Sequence, residues 1–417
     1  MLRKVMEVIH QCAAGLDVHK KMVMACRRRL LSDGQVESEV EEFGTTTAQL
    51  RRLAAWLCEW GCTHVAMEST GVLWVPVWNV LEGQFRLLLA NAQHLKKVPG
   101  RKRDVSDAEW IAQLMQCGLL KASFVPSREV RHWRVLTRQR MKLIDQHTAV
   151  VNRLHKVLQQ SNIKLSSVAT DVLGVSGRAM IWAMIEGQSD PEALANLAKG
   201  RLKAKHGELV ESLEGRLNDD QRWVLKELWE QLEFLDREVL HYDEQIKLQM
   251  SPYDEQLRRL MTIDLIERRS AENLLAEIGP EMSYFPSDDE LVSWAGLCPG
   301  SDESAKKNRS GRTPKGNRWL RRALVEPAWG AARRKDGYLG ALYRGIAMRR
   351  GEKRAVVAVA RTILQAAWHV LKKGVEYKEL GGDHFARLHG EQTKNKLIKR
   401  LERLGYDVDL KPKATAA

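Results

Sequence analysis

Four carboxylates stand where the chain could gather them. Asp17 ends a short apolar strand in GLDVHK, Glu68 ends a second in AMESTG, and Asp104 and Asp107 flank a helix start in KRDVSD. An ionised carboxylate at the end of a central strand is expensive to desolvate unless something pairs with it. Several converging carboxylates repel one another, and hard divalent cations relieve that repulsion. Asp104 and Asp107, three apart, can share one helical face. Two Mg²⁺ ions ~3.5–4 Å apart in such a cluster polarise a phosphodiester and stabilise both the attacking and the leaving oxygen. Asp107 alone also reads as a first-turn charge favoured by the helix dipole. All four acids, in this order on these elements, favour a catalytic site. The stretch HLKKVPGRKR runs directly into Asp104, and its Lys102 and Arg103 stand where a phosphate backbone would pass.

A second constellation is LCPGSDESAKKNRSGRTPKGNRWLRRAL, residues 297–324. Gly300, Gly311 and Gly316 allow close backbone approach. Lys306, Lys307, Arg309, Arg312, Lys315, Arg318, Arg321 and Arg322 surround Ser301, Ser304 and Ser310. A serine in a cationic loop can attack phosphorus when metal or guanidinium stabilises the developing charge. Spacing alone does not choose among the three, and loop serines that only hydrogen-bond locally look the same.

The elements that must position these groups follow from periodicity. Residues 13–18 and 22–29 read as apolar strands, and 36–43 alternates with period two. A helix over 45–60 spaces Leu50, Leu53, Ala54 and Leu57 along one face, with Thr47 as its expected N-cap. Strands at 64–70 and 85–90 bracket a short helix at 72–82, in which Pro76 is tolerable only near the first turn. Ser106 and Glu109 form a capping box that starts a helix at about Asp107. Three consecutive strands followed by helix–strand alternation is the layout of ribonuclease-H-like nuclease domains.

Beyond residue 125 the pattern turns helical. Leu213, Leu217, Val224, Leu228, Leu232, Leu235, Val239, Tyr242 and Ile246 recur mostly at threes and fours, the seam of a coiled coil or a long helical hairpin. An internal hairpin and an oligomerisation arm fit that seam equally. Further helices are expected at 256–279, 289–296, 318–334, 338–349 and 353–373, with a basic one at 393–405.

Charge is segregated. Residues 301–354 carry 16 Lys/Arg against 5 Asp/Glu and residues 128–164 carry 9 against 2, whereas 208–244 carry 4 against 12. The two basic segments suit phosphates, and the formal net charge of +14 points to a polyanionic partner, nucleic acid first. A 44% apolar composition argues against wholesale disorder. No apolar run approaches the ~18 residues of a membrane span. The segment MLRKVMEVIHQC lacks a secretory pattern, so a cytoplasmic location with reduced thiols is expected. The six cysteines include no CxxC pair; Cys58, Cys62 and His64 read as small residues around a helix end rather than a metal site.

The segments AGLDVHKK, AMESTG, PGRKRDVSDAEWIAQL and WAGLCPGSDESAKKNRSGRTPKGNRWLRRAL together resemble the DEDD transposases of insertion sequences, the bridge recombinases, to which the pilin-gene invertases are related. The resemblance covers roughly 12–125 and 256–375. It implies an α/β plus all-α chain: a ribonuclease-H-like (RuvC-like) domain over 1–125, a helical coiled-coil and oligomerisation region over 126–255, a mainly helical transposase domain over 256–380 and a basic tail over 381–417. It implies that Asp17, Glu68, Asp104 and Asp107 hold Mg²⁺, as a two-ion site, and that Ser304, with Ser301 as the fallback, forms a phosphoserine link to DNA. It implies donor and target DNA as partners, a structured noncoding guide RNA from the element's own end, and a homodimer that pairs into a homotetramer. Relatives carry a glycine-containing helix–hairpin–helix turn where this chain has Asp264, Leu265 and Ile266. Two other readings are a structure-selective nuclease that uses water in place of serine, and a non-catalytic nucleic-acid binder; the intact set of four acids argues against the second.

Overall fold

The computed structural model describes residues 7–69, 71–91, 95, 106–299, 303–304, 307–308, 313–334, 336–388 and 390–409. The chain divides into two compact units, residues 1–125 and 126–417.

The first unit is a five-stranded sheet with helices on both faces. Its elements run β1 (Cys12–Val18), β2 (Met22–Leu30), β3 (Val36–Gly44), α1 (Thr47–Glu59), β4 (His64–Glu68), α2 (Trp74–Leu81), β5 (Arg86–Ala90) and α3 (Asp107–Gln116). The order is β3-β2-β1-β4-β5, with the first three strands antiparallel and β4 and β5 parallel to β1. Strand alternation sends Ala14, Leu16, Val65 and Met67 into an apolar layer with Leu50, Leu53 and Leu57 of α1 and Val77 and Leu81 of α2. On the other face Ala13, Ala66 and Ala90 meet Trp110, Ile111 and Leu114 of α3. Small residues on this face let α3 lie close. A side-chain carbon on Gly15 would stand 2.2 Å from the backbone nitrogen of Ala112 and 2.4 Å from the carbonyl of Ala108. The predicted capping box is present: Ser106 accepts from the Glu109 amide, and Glu109 accepts from the Ser106 amide. The N-cap of α1 is Thr46, not Thr47; its hydroxyl accepts from the amide of Gln49.

The second unit is helical. Two long helices, α4 (Arg128–Gln160) and α9 (Asp219–Met250), pack together and are bridged by α5 (Leu165–Val168), α6 (Val175–Ile185), α7 (Pro191–Ala195) and α8 (His206–Ser212). They run antiparallel: Arg140 bonds Asp243, His147 lies 3.1 Å from Asp236, and Arg153 bonds Gln231. The seam on α9 is Leu225, Leu228, Trp229, Leu232, Leu235 and Val239, packed with Leu143, Val150, Leu154 and Leu158 of α4, and Ile246 is buried further along the helix. Val224 faces outward, and Leu213 and Leu217 precede the helix. The seam is thus filled within the chain.

Next come α10 (Asp254–Leu260), α11 (Arg268–Ile278), α12 (Asp288–Trp294), the hairpin of β6 (Glu303–Ser304) and β7 (Lys307–Asn308), α13 (Arg318–Arg333), α14 (Tyr338–Arg350), α15 (Glu352–Lys373), α16 (His384–Leu388) and α17 (Gly390–Arg403). Helix α15 packs against α10, α12, α13 and α14. The guanidinium of Arg140 is fully buried and joins three helices through Asp243 of α9 and Glu272 and Asn273 of α11. In the turn between α10 and α11, Leu265 takes φ 72°, the left-handed conformation that favours glycine. Its buried neighbours Ile263 and Ile266 hold the turn in place.

Candidate active site

Strand register decides where the acids lie. Gly15 of β1 pairs with Ala66 of β4, and Leu16 with Met67. The same parallel register, one step further, sets Asp17 beside Glu68 on strands about 4.8 Å apart. Parity fixes the face: Asp17 follows Ala13 and Gly15, and Glu68 follows Ala66, so both lie on the face that α3 covers. Asp107 is the first residue of α3 and exposed, at the end that the contact between Gly15, Ala108 and Ala112 sets against β1. Three acids from three elements are thereby directed to one end of the sheet.

Asp17 has a partner that periodicity did not single out. His19 Nε2 lies 3.0 Å from Asp17 Oδ2, with the carboxylate largely shielded and the imidazole mostly exposed. Glu68 is half-buried and ends its strand opposite Ala90 of β5. Asp104, Lys102 and Arg103 lie outside the described residues. Among the described residues no three His, Cys, Asp or Glu side chains are grouped closely enough to hold a metal ion. The donor set of the candidate site is oxygen-rich, which suits a hard cation rather than a soft one. At the opposite end of β1, buried Cys62 lies against Cys12, Sγ to Sγ 3.1 Å, while Cys58 is exposed.

The serine loop is closed by a narrow neck. Gly296 takes φ +69°, and a side-chain carbon there would stand 2.6 Å from the Gly316 nitrogen; one on Gly316 would stand 2.0 Å from the Ala295 carbonyl oxygen. Only glycine at both positions allows the two ends this approach. Arg321 fastens the neck, donating to the carbonyls of Gly296 and Pro314 at 3.3 and 3.2 Å. Within the loop, Ser304 pairs with Lys307 across the β6–β7 hairpin. Ser301, Lys306, Arg309 and Arg312 lie outside the described residues. Lys315 and Arg318 are exposed, whereas Arg322 holds Asp145 of α4 through two 2.5 Å bonds. The arginines expected to bind nucleic acid thus divide, with Arg321 and Arg322 engaged inside the chain.

Two transposase family models match the chain. Residues 14–163 match a transposase family of the DEDD type named for insertion sequence IS110, and residues 257–344 match the transposase family IS116/IS110/IS902. The two matches together span more than half of the chain. The chain belongs to the IS116/IS110/IS902 transposase family. A probable family 20 transposase of Pseudomonas aeruginosa is 25% identical over 369 residues, covering 87% of this chain and 94% of the relative. The transposase for insertion sequence element IS1111A of Coxiella burnetii is 25% identical over 301 residues, covering 70% and 72%. A putative transposase of Sinorhizobium fredii is 25% identical over 331 residues, covering 77% and 76%.

In this transposase the first match contains Asp17, Glu68, Asp104 and Asp107, and the second contains the serine loop and its neck. Four residues that shape these sites were not singled out in the sequence: Gly15, His19, Glu277 and Asn317. Gly15 and His19 flank Asp17 at two-residue spacing, a signal that strand alternation carries. Glu277 stands in the apolar run LLAEIG, where a single acid is the signature of a buried, paired carboxylate.

Proposed function

We propose that this transposase cuts and rejoins donor and target DNA at an acid-lined, Mg²⁺-dependent site in its first unit, with Ser304 as nucleophile and a structured noncoding RNA selecting the DNA. The observation that carries the reading is the register that sets Asp17 beside Glu68 on the face covered by α3, the helix that Asp107 begins. The sheet order, with β2 antiparallel to β1 and β4 parallel to it, supports a ribonuclease-H-like (RuvC-like) assignment for this unit.

Asp17, Glu68, Asp104 and Asp107 are the residues that would hold the metal. Bound there, Mg²⁺ neutralises charge on the scissile phosphate and stabilises the attacking and leaving oxygens. The Ser304 hydroxyl loses its proton as its oxygen bonds to phosphorus. The bond from phosphorus to a deoxyribose oxygen breaks, and that oxygen leaves as a hydroxyl. Rejoining reverses the step: a deoxyribose hydroxyl of the exchanged strand attacks the phosphoserine, and Ser304 regains its proton. One phosphoester bond replaces another, so neither water nor a nucleotide triphosphate is consumed.

The acids lie in one unit and the serine in the other, which accords with a dimer, pairing into a tetramer, in which different protomers complete each active site. The basic stretches 128–164 and 301–354 suit RNA and DNA backbones. Among the described residues no helix is long and apolar enough to cross a membrane. The working location is at DNA in the cytoplasm.

Asp17→Ala tests the reading. It should abolish DNA cleavage while leaving binding of the element-end RNA intact. Cleavage at the wild-type rate would remove Asp17 from the site.

A further inference from the structure

The loop bearing Ser304 leaves the helical body at a neck, and one buried carboxylate reaches that neck from behind. Glu277, at the end of α11, is 2% exposed. Asn317 donates from Nδ2 to Glu277 Oε2 at 2.6 Å. The Oδ1 of Asn317 accepts from the amides of Trp319 and Leu320, so the same side chain caps α13. Asn317 directly follows neck residue Gly316, so its position sets where the loop ends.

Glu277 is itself fixed from α4. Arg138 clasps it with two bonds, Nε to Oε1 at 2.7 Å and Nη2 to Oε2 at 2.9 Å. Arg134 donates to the backbone carbonyls of Ala276 and Glu277 at 3.1 and 2.5 Å. A two-pronged guanidinium–carboxylate pair fixes direction as well as distance, and its shielding from water strengthens it. The chain of contacts is α4 to Glu277 to Asn317 to the loop end, while Arg321 ties that end to Gly296.

We propose that Glu277 is a positioning residue for the joining reaction: by holding Asn317 against α4 it fixes the neck from which Ser304 is presented to phosphorus. This rests on Ser304 being the nucleophile. A nucleophile held in place by the fold avoids ordering a loop at the moment of reaction, and a displacement of about 1 Å can reduce a rate ~100-fold. Arginine, asparagine and glutamate serve here as a mechanical train rather than as ligands of DNA.

The test separates the cap of α13 from the link to Glu277. Asn317→Asp keeps an oxygen that can cap α13 but replaces the donor to Glu277 with a second carboxylate. Glu277→Gln, made separately, keeps one oxygen that can accept from Asn317 but turns an amide donor toward Arg138, so it loosens the clasp while leaving the cap of α13 in place. Full-length protein with Mg²⁺, element-end RNA and labelled donor and target DNA is assayed for covalent protein–DNA adduct across DNA concentrations. Amide hydrogen exchange is followed in peptides containing Leu297 and residues 313–320. Asn317→Asp should lower the maximal adduct rate by at least about tenfold with half-saturating DNA within about twofold, and should speed exchange at the neck. Glu277→Gln should lower the maximal rate and speed exchange in the same direction, and a wild-type maximal rate with wild-type exchange in it would also overturn the proposal. Unchanged exchange in Asn317→Asp, or faster exchange with an unchanged maximal rate, would overturn the proposal. Ser304→Ala runs alongside: if it still forms adduct, the nucleophile assignment fails instead, and the exchange data continue to judge the neck.

Discussion

The backbone nitrogen of Ala112 occupies the space where a side-chain carbon of Gly15 would project, 2.2 Å away. This one contact sets helix α3 against the strand that ends in Asp17, and so governs where Asp107 begins. Gly15→Ala should therefore act on both fold and chemistry. Overpacking against rigid backbone should cost about 3 kcal/mol in thermal unfolding, and DNA cleavage should be lost. A variant with wild-type stability and cleavage would mean that α3 does not depend on this approach.

Leu265 gives a prediction that runs against hydrophobicity. A leucine in the left-handed region carries about 1–2 kcal/mol of strain, and glycine relieves it. Losing the half-buried side chain costs about the same. Leu265→Gly should thus change stability by no more than about 1 kcal/mol. Leu265→Val, β-branched in that conformation, should destabilise by more than the glycine variant. Denaturant midpoints of the two would give the order, and a valine variant more stable than the glycine variant would refute the strain argument.

The arginines around the serine loop should separate by salt dependence. Lys315 and Arg318 are exposed, while Arg321 is engaged with the carbonyls of Gly296 and Pro314. Each phosphate contact removed should reduce the slope of log binding against log salt by about 0.9. Lys315→Ala and Arg318→Ala should therefore flatten the slope, and Arg321→Ala should leave it unchanged while loosening the neck. A flattened slope in Arg321→Ala would place its guanidinium on nucleic acid.

Acidification should weaken the first unit through His64. Burial pushes its imidazole below the usual 6.5, with the positive charges of His10 and Arg86 adding to the effect. His10 stacks on it with ring centroids 3.8 Å apart. The folded state disfavours the protonated ring, so the unfolded chain takes up the proton first as pH falls below about 6.5. Stability is fully present above that value and declines below it. Melting temperatures between pH 8 and pH 5 should fall less steeply in His64→Gln. An unaltered slope would assign the acid sensitivity to other groups.

Much of this architecture is legible in the sequence. The apolar runs at 13–18 and 22–29 and the alternation at 36–43 mark the strands, and the Ser106–Glu109 box marks the start of α3, because each signal is local. The errors were local too. Thr45, Thr46 and Thr47 can all cap a helix, and spacing could not pick Thr46. Threes and fours admit both Val224 and Leu225 to the seam on α9, and the structure puts Leu225 there. What stayed hidden joins distant residues. The bond from Asn317 to Glu277 spans forty positions and leaves no periodic trace. Composition shows the charge of Arg321 and Arg322 without showing the carbonyls that the first reaches and the carboxylate that the second holds.

The central claim is that a serine of this transposase joins DNA covalently in a reaction that depends on the acids of the first unit. Its most direct test is a denaturing gel of purified protein mixed with Mg²⁺, element-end RNA and labelled donor and target DNA. A protease-sensitive, slower-migrating DNA species is expected, absent from Ser304→Ala and from Asp17→Ala. Free cleaved DNA without any adduct, or an adduct that persists in Ser304→Ala, would contradict it.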